Sequence, residues 1–565
     1  MKPRLFGIAL FATILPRLVL AAELPVPDPD DGQLTLPPGF RALIVADQLV
    51  AGRKIGRNTD QFRFITVAPN GYVYGKTVRG GIIALRDTDG DGRLDDKQEF
   101  GSGGGTGIAL HDGWLYHSTN SAVYRYRLGP GEFVPSGEQE TIVTGLLDKG
   151  THDAKTFAFD DKGRLLVEVG APYNVYSEPD RRFGAKGMDP TELQKIAGGF
   201  WRFDDPNKPN QTQKDALHFS TGHRHSIALA WQPKAHEFFM AMMGRDNLNT
   251  VDPEHYDDLD NAERVSEEMH RLREGVNLGW PFTYWDPIKK ARMIAPEFGG
   301  DNKKRAEVGK YDEPVIAFPA HWAPLQMTFY TGEQFPQKYR GGAFIAFHGS
   351  WNRAPRPQEG FNITFAPFDD KGTPIGTYEV FATGRPGVKF RMGGVAVGPD
   401  GSLYISETDR GRIWRIIYTG ETQAASSTPA PSTAPAPTPV AKTEKSPTPS
   451  GVALNARGKT TYDQICAACH MPDGVGAAPM QPALVGSAVL RGDTKTLINV
   501  VLRGPAAVLP ADRPKYGNVM PPFSSLDDQQ IADVLTYARQ RFGDNAPAIT
   551  TQQVAEQRAA LPVVP

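Results

Sequence analysis

The sequence predicts a β-propeller followed by a small all-α domain, and three observations support this fold class. A phrase of turn residues followed by alternating β-branched and aromatic residues recurs around Gly71, Gly113, Gly163 and Gly401. A segment of Ala, Pro, Ser and Thr then interrupts the 565-residue chain between residues 421 and 452. Beyond this segment, apolar residues recur with the periodicity of an amphipathic helix.

The recurring phrase reads "APNGYVYG", "LHDGWLYHS", "FDDKGRLLVEVG" and "GPDGSLYISET". Each copy predicts a hairpin within an antiparallel sheet, because a turn of Asp, Asn or Gly precedes an alternating run. Copies spaced roughly 40 to 50 residues apart are typical of the four-stranded blades of a propeller. A large β-sandwich is the alternative, but it does not explain the long loops between the copies.

The N-terminus "MKPRLFGIALFATILPRLVLAAE" has the layout of a secretory signal peptide, with Lys2 and Arg4 before an apolar run and small residues at Ala21 and Ala22. We therefore expect export to the periplasm, with an uncleaved anchor as the alternative. No later apolar run is long enough to span a bilayer, so stable membrane insertion is not expected. Lys and Arg number 62 against 64 Asp and Glu, without a basic stripe that would suggest nucleic acid.

These features predict five regions. We expect a signal peptide over 1–22, a propeller domain over 23–420, an extended linker over 421–452, a helical domain over 453–548 and a C-terminal tail over 549–565. Prolines and the lack of apolar residues keep the linker extended. In the helical domain, Ser524 or Ser525 can cap a helix that ends at Gly543 and places apolar residues on one face, namely Ile531, Val534, Leu535, Ala538 and Phe542.

Both cysteines of the chain lie in the stretch "QICAACHM". Cys466, Cys469 and His470 match the pattern for covalent haem c attachment, in which two thiols bind the porphyrin and the adjacent imidazole binds iron. A disulfide, redox or zinc role for the cysteines is weaker, because zinc needs two further ligands. The second iron ligand is expected downstream at Met520 in "GNVMPPF", with Met480 as the competitor.

An acidic loop, "DTDGDGRLDD", has the residue spacing of a calcium-binding loop. It places Asp87, Asp89, Asp91 and Asp95 around Gly92, which permits a sharp turn. The twelfth position holds Gln98 instead of the bidentate Glu of an EF-hand. An acidic hairpin turn between two strands is an equally good interpretation.

The C-terminal segment resembles class I cytochrome c along its length, from "ARGKTTYDQICAACH" through "MPPF" to "LDDQQIADVLTYARQRFG". The resemblance implies a small all-α electron carrier with His and Met as iron ligands.

The propeller segment resembles the sorbosone and pyranose dehydrogenase group of pyrroloquinoline quinone (PQQ) enzymes, relatives of soluble glucose dehydrogenase, over most of residues 36–418. The stretches that carry this resemblance include "GTHDAKT", "STGHRHS", "MGRDNL", "PAHWAPL", "FHGSWNR" and "KFRMGG". The resemblance implies a six-bladed propeller with PQQ and a calcium ion at one mouth of the central channel.

The resemblance also implies roles for individual residues. His152 matches the base that takes the proton of the sugar hydroxyl. The carbonyl groups of Gly244 and Arg245 match the calcium-binding turn. The positions that match contacts to PQQ are Arg63, Lys155, Arg224, Arg353 and Arg391, with His321 as a further residue of the pocket. Two positions depart from the pattern, because His225 stands where Asn is usual and Lys155 stands where Arg is commoner.

The sequence therefore predicts a periplasmic quinohaemoprotein that oxidises an aldose or a related sugar. Its electrons are expected to pass through haem c to a downstream cytochrome or terminal oxidase. Two alternatives remain at this stage: a propeller lactonase with an unrelated haem domain, and a propeller that binds a carbohydrate or a partner and carries a cytochrome as an electron shuttle.

Overall fold

The structure is a computed structural model that describes residues 24–420 except 57, and residues 457–560 except 460, 472–473, 477–480, 514–515, 517–519, 521 and 525. The side chains of residues 463, 464, 468 and 469 are not described either. The predicted signal peptide, the predicted linker, Met480 and the side chain of Cys469 therefore lie outside the described residues.

Six four-stranded antiparallel blades form the propeller, which confirms the predicted fold class. The strands, given from the innermost outwards, are these: blade 1, Phe62–Val67, Val73–Thr77, Ile82–Arg86 and Asp96–Phe100; blade 2, Ile108–His111, Trp114–Ser118, Val123–Arg127 and Glu140–Val143; blade 3, Phe157–Phe159, Leu165–Val169, Gly199–Phe203 and Leu217–Thr221; blade 4, Ala228–Gln232, Glu237–Met242, Glu267–Leu272 and Ile316–Phe318; blade 5, Pro324–Phe329, Ala343–His348, Phe361–Ala366 and Glu379–Gly384; blade 6, Met392–Val397, Leu403–Glu407, Ile413–Tyr418 and Phe40–Ala46.

The recurring phrase of the sequence corresponds to the turn between the first and second strands of a blade. Gly71, Gly113, Gly163 and Gly401 occupy these turns in blades 1, 2, 3 and 6, each with a φ between 74° and 86°. Only glycine adopts this left-handed conformation without strain from a Cβ atom. The repeat identified in the sequence is therefore a repeat of backbone geometry.

The N-terminal strand Phe40–Ala46 closes the ring of blades, because it is the outermost strand of blade 6, which otherwise comes from the end of the domain. It pairs antiparallel with Ile413–Tyr418, with Phe40 opposite Tyr418. Phe40 is buried and packs edge-to-face against Phe335 and Phe381, with ring centroids 4.8 and 5.0 Å apart. The two ends of the propeller are thus joined by backbone hydrogen bonds and by an aromatic cluster.

Shorter elements lie mainly in the connections between strands, most of them in blades 3 and 4. They are the strands Leu34–Thr35, Lys54–Ile55, Asn58–Thr59, Ser177–Glu178, Lys186–Gly187, Val276–Asn277, Thr283–Asp286 and Ala291–Ile294, the helices Thr191–Gln194, Leu248–Val251 and Asp258–Glu263, and the 3₁₀ turns Asp31–Gln33, Gln213–Asp215, Pro296–Phe298 and Gln337–Tyr339. Leu34–Thr35 pairs with the outer strand of blade 5, which reinforces the closure.

The second described unit is helical and has its own core. It comprises the π-helical turn Tyr462–Cys466, the helices Ala467–His470, Ala488–Arg491, Thr494–Arg503, Asp528–Phe542 and Thr551–Ala559, and the 3₁₀ turn Pro505–Ala507. The helix Asp528–Phe542 ends at Gly543 as predicted, but it begins after Asp527 and not at Ser524. Asp527 is the N-cap of this helix, because its carboxylate accepts the N–H of Gln530 and the Gln530 side chain accepts the N–H of Asp527. Val554 of the last helix, in the predicted tail, is buried in this core.

Among the described residues, no helix combines the length and the apolar character needed to cross a bilayer.

Candidate functional site

Strand order alone brings the candidate residues of the propeller to one face. In an antiparallel blade, the connection between the second and third strands and the connection from one blade to the next emerge at the same end. We call this end the top face. It carries these candidates, all of which lie in such connections or beside them: Arg63, His152, Lys155, Arg224, Gly244, Arg245, His321, Arg353 and Arg391.

His152 lies in the connection that enters blade 3, where its ring is buried. Its Nδ1 lies 2.6 Å from the carbonyl oxygen of Ala171, so Nδ1 carries the proton and donates it. The lone pair is therefore on Nε2, which lies 3.4 Å from the Thr151 hydroxyl. Burial, followed by the positive charge of Arg224, holds the pKa of His152 well below its usual value. The ring is neutral and can accept a proton at Nε2.

Arg224 lies close to His152 and is also buried. Its guanidinium donates to Asp246 Oδ2 at 2.7 Å and to Asn174 Oδ1 at 3.0 Å. Burial lowers the pKa of Arg224 to about 10, although the Asp246 carboxylate opposes this shift. Arg181 donates to the same oxygen of Asp246 at 2.9 Å. The sequence analysis identified Arg224 but missed Asp246 and Arg181.

Two buried residues extend the surroundings of His152. The ring of His225 stacks on the ring of His152, with centroids 5.0 Å apart, and its Nδ1 lies 3.3 Å from Glu168. Lys155 is fully buried and donates to the carbonyl oxygen of Asp153 at 2.5 Å. Burial lowers the pKa of Lys155, and the nearby Glu168 carboxylate opposes this shift. The Glu168 carboxylate thus lies near both positions that depart from the family pattern.

A second cationic group lies on the top face where blades 1, 5 and 6 meet. Arg391 donates to the carbonyl oxygen of Gly349 at 3.1 Å. Burial lowers the pKa of Arg63 to about 10. His348 lies near both guanidinium groups, and burial together with their charges holds its pKa well below the usual value. Its Nε2 is buried without a hydrogen bond to any described residue. The sequence analysis quoted "FHGSWNR" but did not single out His348.

Arg353 and His321 contact the protein around the top face. Arg353 donates to the carbonyl oxygens of Ala320 and Ala262 at 3.0 and 3.2 Å, so part of its guanidinium fixes two loops. His321 Nε2 lies 2.7 Å from the carbonyl oxygen of Asn261, and its Nδ1 lies 3.3 Å from Asp246. A contact of either residue with PQQ stays a prediction.

The turn at Gly244 and Arg245 fits a cation site made of carbonyl groups. Neither carbonyl oxygen accepts a hydrogen bond from any described residue. The Gly244 N–H donates to Glu267 at 2.8 Å, and the other oxygen of Glu267 accepts the N–H of Ala323 at 3.0 Å. Burial raises the pKa of Glu267 to about 7. Two adjacent carbonyl oxygens beside a buried carboxylate offer the oxygen ligands that Ca²⁺ prefers.

The acidic loop lies between the third and fourth strands of blade 1, at the face opposite the top face. Oxygen atoms of Asp87, Asp89 and Asp91 come within 4.8 Å of one another. Asp95 accepts the N–H of Thr88 at 2.7 Å, and Asp87 accepts the N–H of Gly92 at 2.8 Å. The same hydrogen bonds are expected in an acidic turn, so calcium binding by this loop stays a prediction.

In the helical unit, the structure orients His470 as an iron ligand requires. His470 is buried, and its Nδ1 lies 2.9 Å from the carbonyl oxygen of Pro482. A metal-bound imidazole typically donates its other N–H in this way, which leaves Nε2 for the metal. Cys466 and Met520 pack against the same apolar core. The orientation of His470 therefore fits an iron ligand, and the role of Met520 as the second ligand stays a prediction.

Comparison with known proteins follows the division into two units. The TrAA12-like family model matches residues 34–419, and the cytochrome c family model matches residues 455–541. The calcium structure of the Trichoderma reesei carbohydrate-active enzyme of family AA12 is 18% identical, with a TM-score of 0.55 over 68% of this chain and 97% of that one. The holo form of the pyranose dehydrogenase PQQ domain from Coprinopsis cinerea is 19% identical, with a TM-score of 0.53 over 68% of this chain and 97% of that one.

A curated relative matches the C-terminal unit. The cytochrome c subunit of the alcohol dehydrogenase (quinone) from Gluconacetobacter polyoxogenes is 38% identical over 104 residues, which are 18% of this chain and 22% of that protein. The chain thus spans about a fifth of the length of this relative. The two solved structures support the propeller fold, and the curated relative supports the cytochrome c domain.

Proposed function

Because the chain belongs to the TrAA12-like family and carries a cytochrome c domain, it is an oxidoreductase, and we propose that it is a PQQ-dependent sugar dehydrogenase. The observation that carries this proposal is the buried, neutral His152 beside the buried guanidinium of Arg224 on the top face. The holo pyranose dehydrogenase domain, which shares the fold, supports the choice of cofactor.

The residues of the top face have different roles in the proposed reaction. PQQ, when bound, supplies a two-electron acceptor for the hydride of the substrate. His152 accepts the hydroxyl proton of the sugar at Nε2, because Nδ1 is committed to the carbonyl oxygen of Ala171. The guanidinium groups of Arg63, Arg224 and Arg391 suit the carboxylates of the cofactor, since arginine binds carboxylate with a planar pair of donors.

Calcium fits the turn at Gly244 and Arg245, where two carbonyl oxygens have no hydrogen bond from the described residues. A divalent cation there would neutralise part of the negative charge of a polycarboxylate ligand. Arg353, Lys155 and His321 are proposed to support the same pocket from its wall.

The helical unit is proposed to carry electrons away from the propeller. Haem c supplies a one-electron carrier, bound through Cys466 and Cys469, with His470 and Met520 as its iron ligands. We propose that the protein works in the periplasm after removal of a signal peptide over 1–22. A second cytochrome or a terminal oxidase would then be the electron acceptor. We also propose that the propeller domain ends at residue 420, the linker at residue 452 and the helical domain at residue 548.

Reconstitution of the purified chain tests the proposed function. The protein is treated with a chelator and dialysed, and oxidation of an aldose by an artificial electron acceptor is measured after addition of PQQ, of Ca²⁺ or of both. We expect oxidation only with both additions. Full oxidation with PQQ alone would refute the role of calcium, and no oxidation with both across a panel of aldoses would refute the proposed function.

A further inference from the structure

Two guanidinium groups on the top face meet at a single carboxylate oxygen. Asp246 Oδ2 accepts hydrogen bonds from Arg224 at 2.7 Å and from Arg181 at 2.9 Å. The other oxygen of Asp246 accepts the amide of Asn352 at 2.6 Å and lies 3.3 Å from His321 Nδ1. These side chains come from three successive blades, so one carboxylate fixes the relative positions of both arginines.

The Nε–H groups of both arginines remain without an acceptor. Arg181 Nε and Arg224 Nε are buried atoms that make no hydrogen bond to any described residue. An oxygen of Asp180 lies 3.7 Å from Arg181 Nε, which is within ion-pair distance but too long for a hydrogen bond. Buried N–H donors without acceptors are rare in folded proteins. The described residues therefore supply no acceptor for the Nε–H group of either arginine.

We propose that Arg181 and Arg224 together bind one carboxylate group of a ligand through their Nε–H groups. Arg181 is the new element of this site, because neither its position in the sequence nor the family resemblance identified it. The inference rests on the proposed function, which brings two carriers of carboxylates to the top face. One is the quinone cofactor, and the other is a sugar acid, such as a uronic acid, used as substrate.

The shared Asp246 carboxylate also orients the two arginines. With one terminal nitrogen held by Asp246, each guanidinium keeps a fixed orientation before the ligand arrives. A preorganised donor loses little conformational entropy on binding. A carboxylate that accepts both Nε–H groups would satisfy both donors.

The test measures binding of PQQ to the full-length chain, freed of cofactor and supplied with Ca²⁺, by equilibrium dialysis. The variants are Arg181→Gln, Arg181→Lys and, as a matched control, Arg182→Gln, which replaces the exposed neighbouring arginine. We expect Arg181→Gln to raise the Kd at least about tenfold, the loss typical of a charge-assisted hydrogen bond. The Kd of Arg181→Lys should lie between those of the parent and of Arg181→Gln, since lysine keeps the charge but loses the planar fork. Arg182→Gln should bind PQQ like the parent.

A second arm of the test distinguishes the source of the carboxylate. If the Kd for PQQ is unchanged in Arg181→Gln, the KM for glucuronate is compared with the KM for glucose. A rise of about tenfold for glucuronate alone assigns the site to the substrate and supports the inference. If neither quantity changes in Arg181→Gln or Arg181→Lys while the parent binds PQQ, the inference is overturned and the proposed function stands. A parent chain that binds no PQQ would overturn both.

Discussion

Replacement of His152 should remove the base of the reaction without disturbing the haem. His152→Asn is the informative substitution, because the Asn amide can still donate to the carbonyl oxygen of Ala171, which His152 Nδ1 contacts at 2.6 Å. The variant keeps that loop contact but has no lone pair at the position of Nε2. A positioned base typically contributes about 10² to 10⁴ in rate, which is about 2.7 to 5.4 kcal/mol.

The structure keeps the side chain of His152 in its proton-accepting form at neutral pH. Burial and the nearby Arg224 charge hold the pKa of His152 well below its usual value, so the parent ring is neutral and ready to accept a proton. We therefore expect kcat to fall at least about a hundredfold in His152→Asn. Binding of PQQ should change little, since the arginines remain in place.

Stopped-flow mixing of the PQQ-loaded protein with an aldose measures this effect directly. His236→Asn is the matched control, because His236 is an exposed histidine in the turn between the first two strands of blade 4, at the face opposite the top face, where it pairs with Asp161. Reduction of the haem by dithionite should be the same in all three proteins. If His152→Asn reduced PQQ at the parental rate, the reasoning would be refuted, and His348, the neutral histidine beside Arg63 and Arg391, would be the next base to test.

Three further predictions follow from the haem, the closure of the propeller and the charge of the base. Met520→Ala should abolish the His/Met charge-transfer band of the oxidised haem and lower its reduction potential, whereas an unchanged spectrum would transfer the role to Met480. Phe40→Ala should lower the free energy of unfolding of the propeller by about 3 to 5 kcal/mol in urea denaturation. The substitution opens a cavity where the N-terminal strand Phe40–Ala46 completes blade 6. Phe183→Ala, at a side chain that is 68% exposed, should cost less than about 0.5 kcal/mol, and equal losses would contradict the role of Phe40. The acidic limb of kcat/KM should lie below about pH 6.5, the ordinary pKa of histidine, since His152 is held neutral by burial; a limb at the ordinary value would contradict this.

The fold could be predicted where the sequence repeats its turn chemistry. The glycine turn between the first two strands recurs in blades 1, 2, 3 and 6, and the sequence analysis found these four copies. Blade 4 makes the same turn with His236 in the left-handed conformation, and the corresponding connection of blade 5 spans residues 330–342. The phrase is absent from these two blades because their turns use different residues and lengths. Only the family resemblance gave the number of blades.

The candidate site was harder to predict, because its contacts join loops that are far apart in the chain. Asp246 follows the predicted calcium turn directly, yet its partners Arg181 and Asn352 lie 65 and 106 residues away. No local pattern reports such contacts. His348 was missed for a similar reason, since its environment is made by arginines from two other blades. In contrast, Cys466, Cys469 and His470 follow one another in a short motif, which is why they could be identified from the sequence.

The most direct test of the central claim is sugar-dependent reduction of the haem. The full-length chain, reconstituted with PQQ and Ca²⁺, is mixed anaerobically with an aldose while the haem absorption is followed. The account predicts that the haem becomes reduced with sugar, and that the reduction is lost when PQQ is omitted or when His152 is replaced by Asn. A haem that stays oxidised while the sugar reduces PQQ would contradict the proposed electron path from the propeller to the cytochrome.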